Sequence, residues 1–270
     1  MSTQATTKKM TVPAFRARKN VEKLVVLTAY TAPVAKILAP HVDALLVGDS
    51  VGMVLHGLPS TLGVTTEMMI LHAAAVKRGA PDTLIIVDLP FGSYQSSPEQ
   101  AFETAARILK ETNCDAVKLE GGVEMADTVQ FLSERGIPVM GHVGLTPQKI
   151  NQFGSYKSQG RDEQAAEQIV EDALAFEAAG AFSIVIEGVL VTLADRITEE
   201  IEIPTIGIGA SPQCDGQVLV TDDMVGLFSD FTPKFVRKYA NIAADIDTAA
   251  KNYAADIRSG AFPSDKETFR

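Results

Sequence analysis

Short apolar runs alternate with amphipathic stretches along most of the chain, and several of the runs end on an ionisable residue. Ala44-Leu45-Leu46-Val47-Gly48 leads into Asp49, Leu84-Ile85-Ile86-Val87 into Asp88, and Ile184-Val185-Ile186 into Glu187. Lys118, Glu120 and His142 close two further runs. A short Val/Ile/Leu-rich run bounded by loop residues predicts a strand buried on both faces, as in a parallel sheet. Strands are expected at 24–28, 43–48, 84–88, 116–120, 138–141, 183–187, 205–209 and 224–228. Helical patterns lie between them. At 97–112, Ser97 is a cap, Pro98 suits the first helical position, and Ala101, Ala105, Ile108 and Leu109 share one face. The longest helix is expected at 162–179, stopped by Gly180, and 233–258 reads as an alanine-rich helix.

Eight strands, each followed by a helix, predict a single α/β domain, a closed (β/α)8 TIM barrel over residues 11–260, with a flexible N-terminus at 1–10 and a tail at 261–270. An open doubly wound sheet shares the alternation. Two long loops, 49–65 and 146–160, follow the second and fifth strands and are expected to act as lids or binding loops.

Length and charge narrow the possible functions. A chain of 270 residues suits one barrel of this kind. With 24 Lys and Arg against 34 Asp and Glu, the net charge of -10 argues against a basic grip on nucleic acid. The two cysteines, Cys114 and Cys214, have no CxxC spacing and read as free thiols of a reducing compartment. The polar first nine residues lack a secretory apolar core, and no apolar run reaches membrane-spanning length. A soluble cytoplasmic protein is expected.

Strand side chains alternate faces, so Lys118 and Glu120 project the same way, with Leu119 opposite. In α/β sheets and barrels, ligands bind at the carboxyl ends of the strands. Asp49, Asp88 and Glu120 at neighbouring strand ends would repel one another unless a cation offsets them. Hard oxygen donors with no Cys or multi-His set favour Mg²⁺ over Zn²⁺. Lys118 suits a substrate carboxylate, and Glu187 remains for proton transfer. Each residue also has an ordinary explanation. A strand-end Asp can cap the next helix, Lys118 and Glu120 can be an ion pair, and His142 can be a satisfied core histidine. His41, His56 and His72 are expected at structural or solvent positions. The coincidence of the others at one end of one barrel gives the chemical reading its weight.

At these residues the chain resembles the ketopantoate hydroxymethyltransferase family, within the phosphoenolpyruvate/pyruvate group of barrels. The matching segments are Val47-Gly-Asp-Ser-Val-Gly-Met53, Val64-Thr-Thr-Glu-Met68 with His72 and Arg78-Gly79, Asp88-Leu-Pro-Phe-Gly-Ser-Tyr94, Val117-Lys-Leu-Glu-Gly-Gly122, Gly141-His-Val-Gly-Leu-Thr-Pro-Gln148, Ala179-Gly-Ala-Phe-Ser-Ile-Val-Ile-Glu187, and Thr205-Ile-Gly-Ile-Gly209 through Cys214-Asp-Gly-Gln-Val-Leu-Val220. They run in family order from about residue 11 to about 260. The resemblance implies a Mg²⁺-dependent transfer of a hydroxymethyl group from 5,10-methylenetetrahydrofolate to 3-methyl-2-oxobutanoate, giving 2-dehydropantoate for pantothenate and coenzyme A synthesis. It implies Asp49, Asp88 and Glu120 as metal positions, and Asp49, Ser50, Asp88 and Lys118 as oxo-acid contacts. Glu187 then matches the general base, His142 a histidine near the substrate, and the assembly a homo-oligomer, typically a decamer. The chain departs from the usual family pattern at Thr31, at Gly188 and Leu190, and at Ser211.

Two other readings fit parts of the pattern. One is a Mg²⁺-dependent lyase or mutase acting on another 2-oxo acid; such enzymes usually carry a reactive cysteine in a lid loop, and no cysteine follows Asp49 or Asp88 closely. The other is a non-catalytic metabolite-binding barrel, which predicts a broken set of site residues.

Overall fold

The expected alternation closes on itself in the computed structural model, which describes residues 9–228 and 232–269. Strands β1 (Leu24–Thr28), β2 (Ala44–Val47), β3 (Leu84–Asp88), β4 (Ala116–Glu120), β5 (Val139–Gly144), β6 (Ser183–Glu187), β7 (Thr205–Ile208) and β8 (Gly216–Leu219) form a closed parallel barrel in chain order. The helices of this part are α1 (Val12–Arg16), α2 (Ala32–Leu38), α3 (Val51–Val54), α4 (Thr66–Gly79), α5 (Pro98–Thr112), α6 (Ala126–Glu134), α7 (Ile150–Phe153), α8 (Glu163–Ala178) and α9 (Val191–Glu200). The chain divides into two compact units, one running to Leu219 and holding the barrel, the other starting at Val220. Residues 1–8, most of the expected flexible N-terminus, lie outside the described residues.

Local chemistry sets the helix ends. The Ser97 hydroxyl accepts the Gln100 N–H at 3.2 Å, Pro98 opens α5, and Asn113, with φ +57°, ends it in the left-handed region. On its inner face Ala101, Ala105 and Ile108 are fully buried, with Leu109 partly so. Asp162 caps α8 by accepting the Ala165 N–H at 2.9 Å.

Inside the barrel the pleat sorts every strand. Leu84 and Ile86 of β3, Ala116 of β4, Met140 of β5 and Val185 of β6 belong to one apolar cluster, which Phe15 of α1 joins by packing edge-on to Phe182 at 5.9 Å. Their neighbours Ile85, Val87, Val117, Val139, Ile184 and Ile186 belong to a second cluster, shared with the surrounding helices. Counting on by two from the inner set reaches Asp88, Lys118, Glu120, His142 and Glu187.

The eighth strand was expected at 224–228 and lies instead at 216–219. Its register with β1 is Leu24↔Gly216 through Leu27↔Leu219. Met224 ends a short helix, α10 (Thr221–Met224), and Gly226 has φ +66°, which breaks an extended run. The true β8 hides from a pattern search because it starts with glycine and carries an outward, exposed Gln217. A helix was also expected after every strand, but β7 leads straight to β8 through Gly209 to Asp215, a connection too short for one and broken by Pro212.

The second unit contains α10 and α11 (Ile242–Ser259). The helix expected from 233 begins only at Ile242, because the Tyr239 and Ile242 N–H groups donate to the carbonyls of Met224 and Val225 rather than along a helix. Gly260, with φ +75°, closes α11, and Tyr253 packs against Phe262 at 5.6 Å. Among the described residues no helix is long and apolar enough to cross a membrane.

A Cβ at Gly216 would lie 2.5 Å from the Leu24 carbonyl oxygen and 2.7 Å from Ile206 Cδ1, both fixed by the barrel. Gly216→Ala is therefore expected to destabilise the fold by ~1–3 kcal/mol, seen as a lower midpoint in urea unfolding. An unchanged midpoint would contradict the β1–β8 register.

Candidate active site

The carboxyl ends of β2 to β6 bring together every residue singled out from the sequence for chemistry. Lys118 Nζ lies 2.7 Å from Asp88 Oδ1, and the Asp49 N–H donates to Asp88 Oδ2 at 3.0 Å. His142 stands between two carboxylates, its Nδ1 3.5 Å from Glu120 Oε1 and its Nε2 3.3 Å from Glu187 Oε2. Lys118 Nζ is also 3.4 Å from His142 Nδ1. Asp49, Asp88, Lys118, Glu120 and His142 are all buried; the side chain of Glu187 is the most open of the cluster at 15%. Ser50, at the head of α3, shares a 2.8 Å hydrogen bond with the Tyr30 hydroxyl. Glycine at position 48 keeps this corner open, because a Cβ there would come within 2.9 Å of Ser50 Oγ and 3.5 Å of Asp88 Oδ2.

So many buried charges act on one another. Burial and then the nearby Asp88 and Glu120 carboxylates push the Asp49 carboxyl well above the usual range, with Lys118 and Gln148 opposing. Burial disfavours the Lys118 ammonium, but the surrounding carboxylates of Asp88, Glu120 and Asp49 outweigh it and raise its pKa. For His142, burial and Lys118 favour the neutral ring, yet Glu120 and Glu187 prevail and raise it to about 9. Burial likewise opposes the Glu120 charge, and His142 and Lys118 more than offset it, lowering its pKa.

A divalent cation suits this composition. Asp49, Asp88 and Glu120 place three buried carboxylates beside the one ammonium of Lys118. Among the described residues no three His, Cys, Asp or Glu groups form a ready-made cage. Mg²⁺ takes one or two carboxylates from a protein and completes its shell with water and substrate oxygens. Asp49 and Asp88, with Glu120 nearby, offer oxygen donors of the kind such a cation takes.

Some contributors had no chemical signal in the sequence. Gln148, Tyr94 and Tyr30 are buried polar residues joined to the site residues by hydrogen bonds. The first two end matched segments but belong to loops, where no periodicity reveals which way a side chain faces. His56 and His72, expected at structural or solvent positions, meet Nε2 to Nε2 at 2.8 Å, and His72 Nδ1 donates to the Tyr30 carbonyl at 2.8 Å. The pair ties the 49–65 loop to α4. Of the positions that depart from the family pattern, Gly188 has φ +58° and Ser211 donates to Asp195. Cys114 and Cys214 are free and buried, and each precedes a strand, at the opposite end of the barrel from the site.

Comparison with known proteins bears on the family and the fold. The ketopantoate hydroxymethyltransferase family profile matches residues 9–265. The 3-methyl-2-oxobutanoate hydroxymethyltransferase of Rhodospirillum rubrum is 58% identical over 264 residues, covering 97% of this chain and 95% of that protein. That of Paracoccus denitrificans is 59% identical over 254 residues, covering 94% and 92%. Among solved structures, a phosphonopyruvate hydrolase in complex with oxalate and Mg²⁺ aligns with a TM-score of 0.62 at 14% identity, covering 96% of this chain and 93% of that one. A 2,3-dimethylmalate lyase of the PEP mutase/isocitrate lyase superfamily aligns with a TM-score of 0.58 at 15% identity, covering 96% and 91%. The two structural likenesses bear on the fold alone. With a family profile over nearly its whole length and relatives more than half identical almost end to end, the chain belongs to the ketopantoate hydroxymethyltransferase family.

Proposed function

We propose that the chain transfers a hydroxymethyl group from 5,10-methylenetetrahydrofolate to 3-methyl-2-oxobutanoate, with Mg²⁺ as its resident cation, giving 2-dehydropantoate and tetrahydrofolate in the cytoplasm. The observation that carries the reading is the inward row Asp88, Lys118, Glu120, His142 and Glu187 at one mouth of the barrel, with Asp49 and Ser50 beside it. A 2-oxo acid needs an anchor for its carboxylate, positive charge near its ketone and a base at C3, and the cluster holds a candidate for each.

Lys118 has three N–H bonds, and its pairing with Asp88 leaves others for the substrate carboxylate. Ser50, oriented by the Tyr30 hydroxyl, supplies a further hydrogen bond and fixes which face of C3 is presented. Asp49 and Asp88, with Glu120, would hold a divalent cation, which would supply positive charge beside the ketone. Glu187 takes the C3 proton, and the C–H electron pair moves toward the ketone oxygen. His142, beside Glu187, orients that carboxylate as the proton arrives. The carbon nucleophile then bonds to the folate methylene carbon. Over the whole reaction both C–N bonds of that methylene break: the carbon nucleophile replaces one folate nitrogen, the oxygen of one water replaces the other and becomes the new hydroxyl, and the C3 proton and one water proton end on the two nitrogens. Burial of the charged groups keeps bulk water from the nucleophile.

The reading also makes the protein a homo-oligomer, a decamer in the family's pattern. Support comes from α11, which has no buried residue and exposes Ile246, Tyr253 and Ile257, an apolar surface suited to another copy of the chain.

Two outcomes test these statements. In D₂O with Mg²⁺, the C3 proton signal of 3-methyl-2-oxobutanoate is expected to disappear by NMR, to persist in EDTA, and to exchange ~10²–10⁴-fold more slowly in Glu187→Gln, with binding of the oxo acid retained. Exchange at the wild-type rate in that variant would remove Glu187 from the role of base. Light scattering after gel filtration is expected to give ten times the 28.8 kDa of one chain, and a monomeric mass would overturn the assembly.

A further inference from the structure

Gln148 is 4% exposed, and each polar atom of its side chain is engaged. Its orientation follows from groups whose roles cannot change. The Gly92 N–H can only donate, so Gln95 Oε1, 2.8 Å away, accepts. The Gln95 amide nitrogen therefore faces Gln148 and donates to its Oε1 at 3.0 Å. The Tyr94 hydroxyl donates to the same oxygen at 2.8 Å. On the other side the Leu89 carbonyl can only accept, so the atom 3.0 Å from it is Gln148 Nε2. Its second hydrogen reaches Asp49 Oδ2 at 2.9 Å. The backbone N–H of Gln148 donates to Glu120 Oε2 at 3.0 Å. One residue from the loop after β5 thus holds one oxygen on each of two carboxylates that come from β4 and from beyond β2.

The geometry points to Gln148 as the positioning residue of the site, holding the Asp49 and Glu120 carboxylates in place so that a divalent cation meets them already oriented. The inference rests on the reading of Asp49, Asp88 and Glu120 as holders of that cation. Asp49 lies past the last residue of β2, so no strand pleat fixes its side chain. Its direction comes from its neighbours, and among them Gln148 supplies a neutral donor, which orients the carboxylate without competing with a cation as a second charge would. A partner of this kind characteristically changes metal affinity when removed, although it never touches the metal.

The test is titration of the metal-free chain with Mn²⁺, free ion being read by electron paramagnetic resonance, for wild type, Gln148→Met and Tyr94→Phe. Thermal melts in EDTA check folding. Gln148→Met keeps an unbranched side chain of comparable length and removes the amide. It is expected to bind Mn²⁺ ~10–100-fold more weakly, with most of its lost turnover restored at saturating Mn²⁺, a recovery that a general loss of structure would not allow. Tyr94→Phe removes one support of the amide and is expected to weaken binding in the same direction but less. Unchanged Mn²⁺ affinity in folded Gln148→Met overturns the inference. If that variant does not fold, unchanged affinity in Tyr94→Phe overturns it. A wild-type chain that binds no Mn²⁺ overturns the reading of the carboxylates, and this inference with it.

Discussion

The period of two along a parallel strand is the constraint on which the rest of this molecule depends. Once β3, β4, β5 and β6 are closed into a barrel, the parity that puts Ile86, Ala116, Met140 and Val185 in the interior also puts Asp88, Lys118, Glu120, His142 and Glu187 there. The same strands therefore build an apolar floor and a charged mouth without any change of direction. A one-residue slip of β4 would move Lys118 and Glu120 to the helix-facing side, where burial would leave two charges among apolar neighbours.

Concentrating charge at the mouth has an electrostatic consequence. Four carboxylates surround one ammonium and one imidazole; Lys118 lies within 3.5 Å of two other members of the group and His142 of three. Burial first and then the neighbouring carboxylates raise the pKa of Asp49, while for Glu120 and His142 the opposite charges outweigh burial, lowering the first and raising the second. Such a cluster is poor at stabilising a fold, since burying paired charges costs about as much as their attraction returns. It is well made for holding an ion and an anionic substrate, and that contrast favours a functional account over a structural ion pair.

How much of this could be read from the sequence depended on whether a residue lies on a regular element. Seven of the eight strands appear near their expected positions because each is a short, mostly apolar run bounded by loop residues. The eighth was misplaced because Gly216-Gln217-Val218-Leu219 has neither length nor an unbroken apolar character, whereas the run at 224–228 has both and is broken by the backbone of Gly226. The charged residues at strand ends were legible for the same reason as the strands. Gln148, Tyr94 and Tyr30 were not, because loop residues have no period and a neutral polar side chain shows its value only when its partners are seen.

The division between legible and hidden residues is also a division of labour. Asp88, Lys118, Glu120, His142 and Glu187 are aimed into the mouth by the barrel itself, and the Glu120 carboxylate takes a further hold from the Gln148 N–H. Asp49 and Ser50 follow β2 and have no such support, so they take their directions from hydrogen bonds: the Asp49 N–H to Asp88, the Asp49 carboxylate to Gln148, and the Ser50 hydroxyl to Tyr30. The loop after β1 reaches Ser50 through Tyr30, while the loops after β3 and β5 meet at Gln148 and through it reach Asp49, and also bond Glu120 of β4 directly. The site thus has a rigid half, on which the proton transfer is proposed to occur, and an adjustable half, Asp49 and Ser50, whose side-chain directions are set by loop contacts.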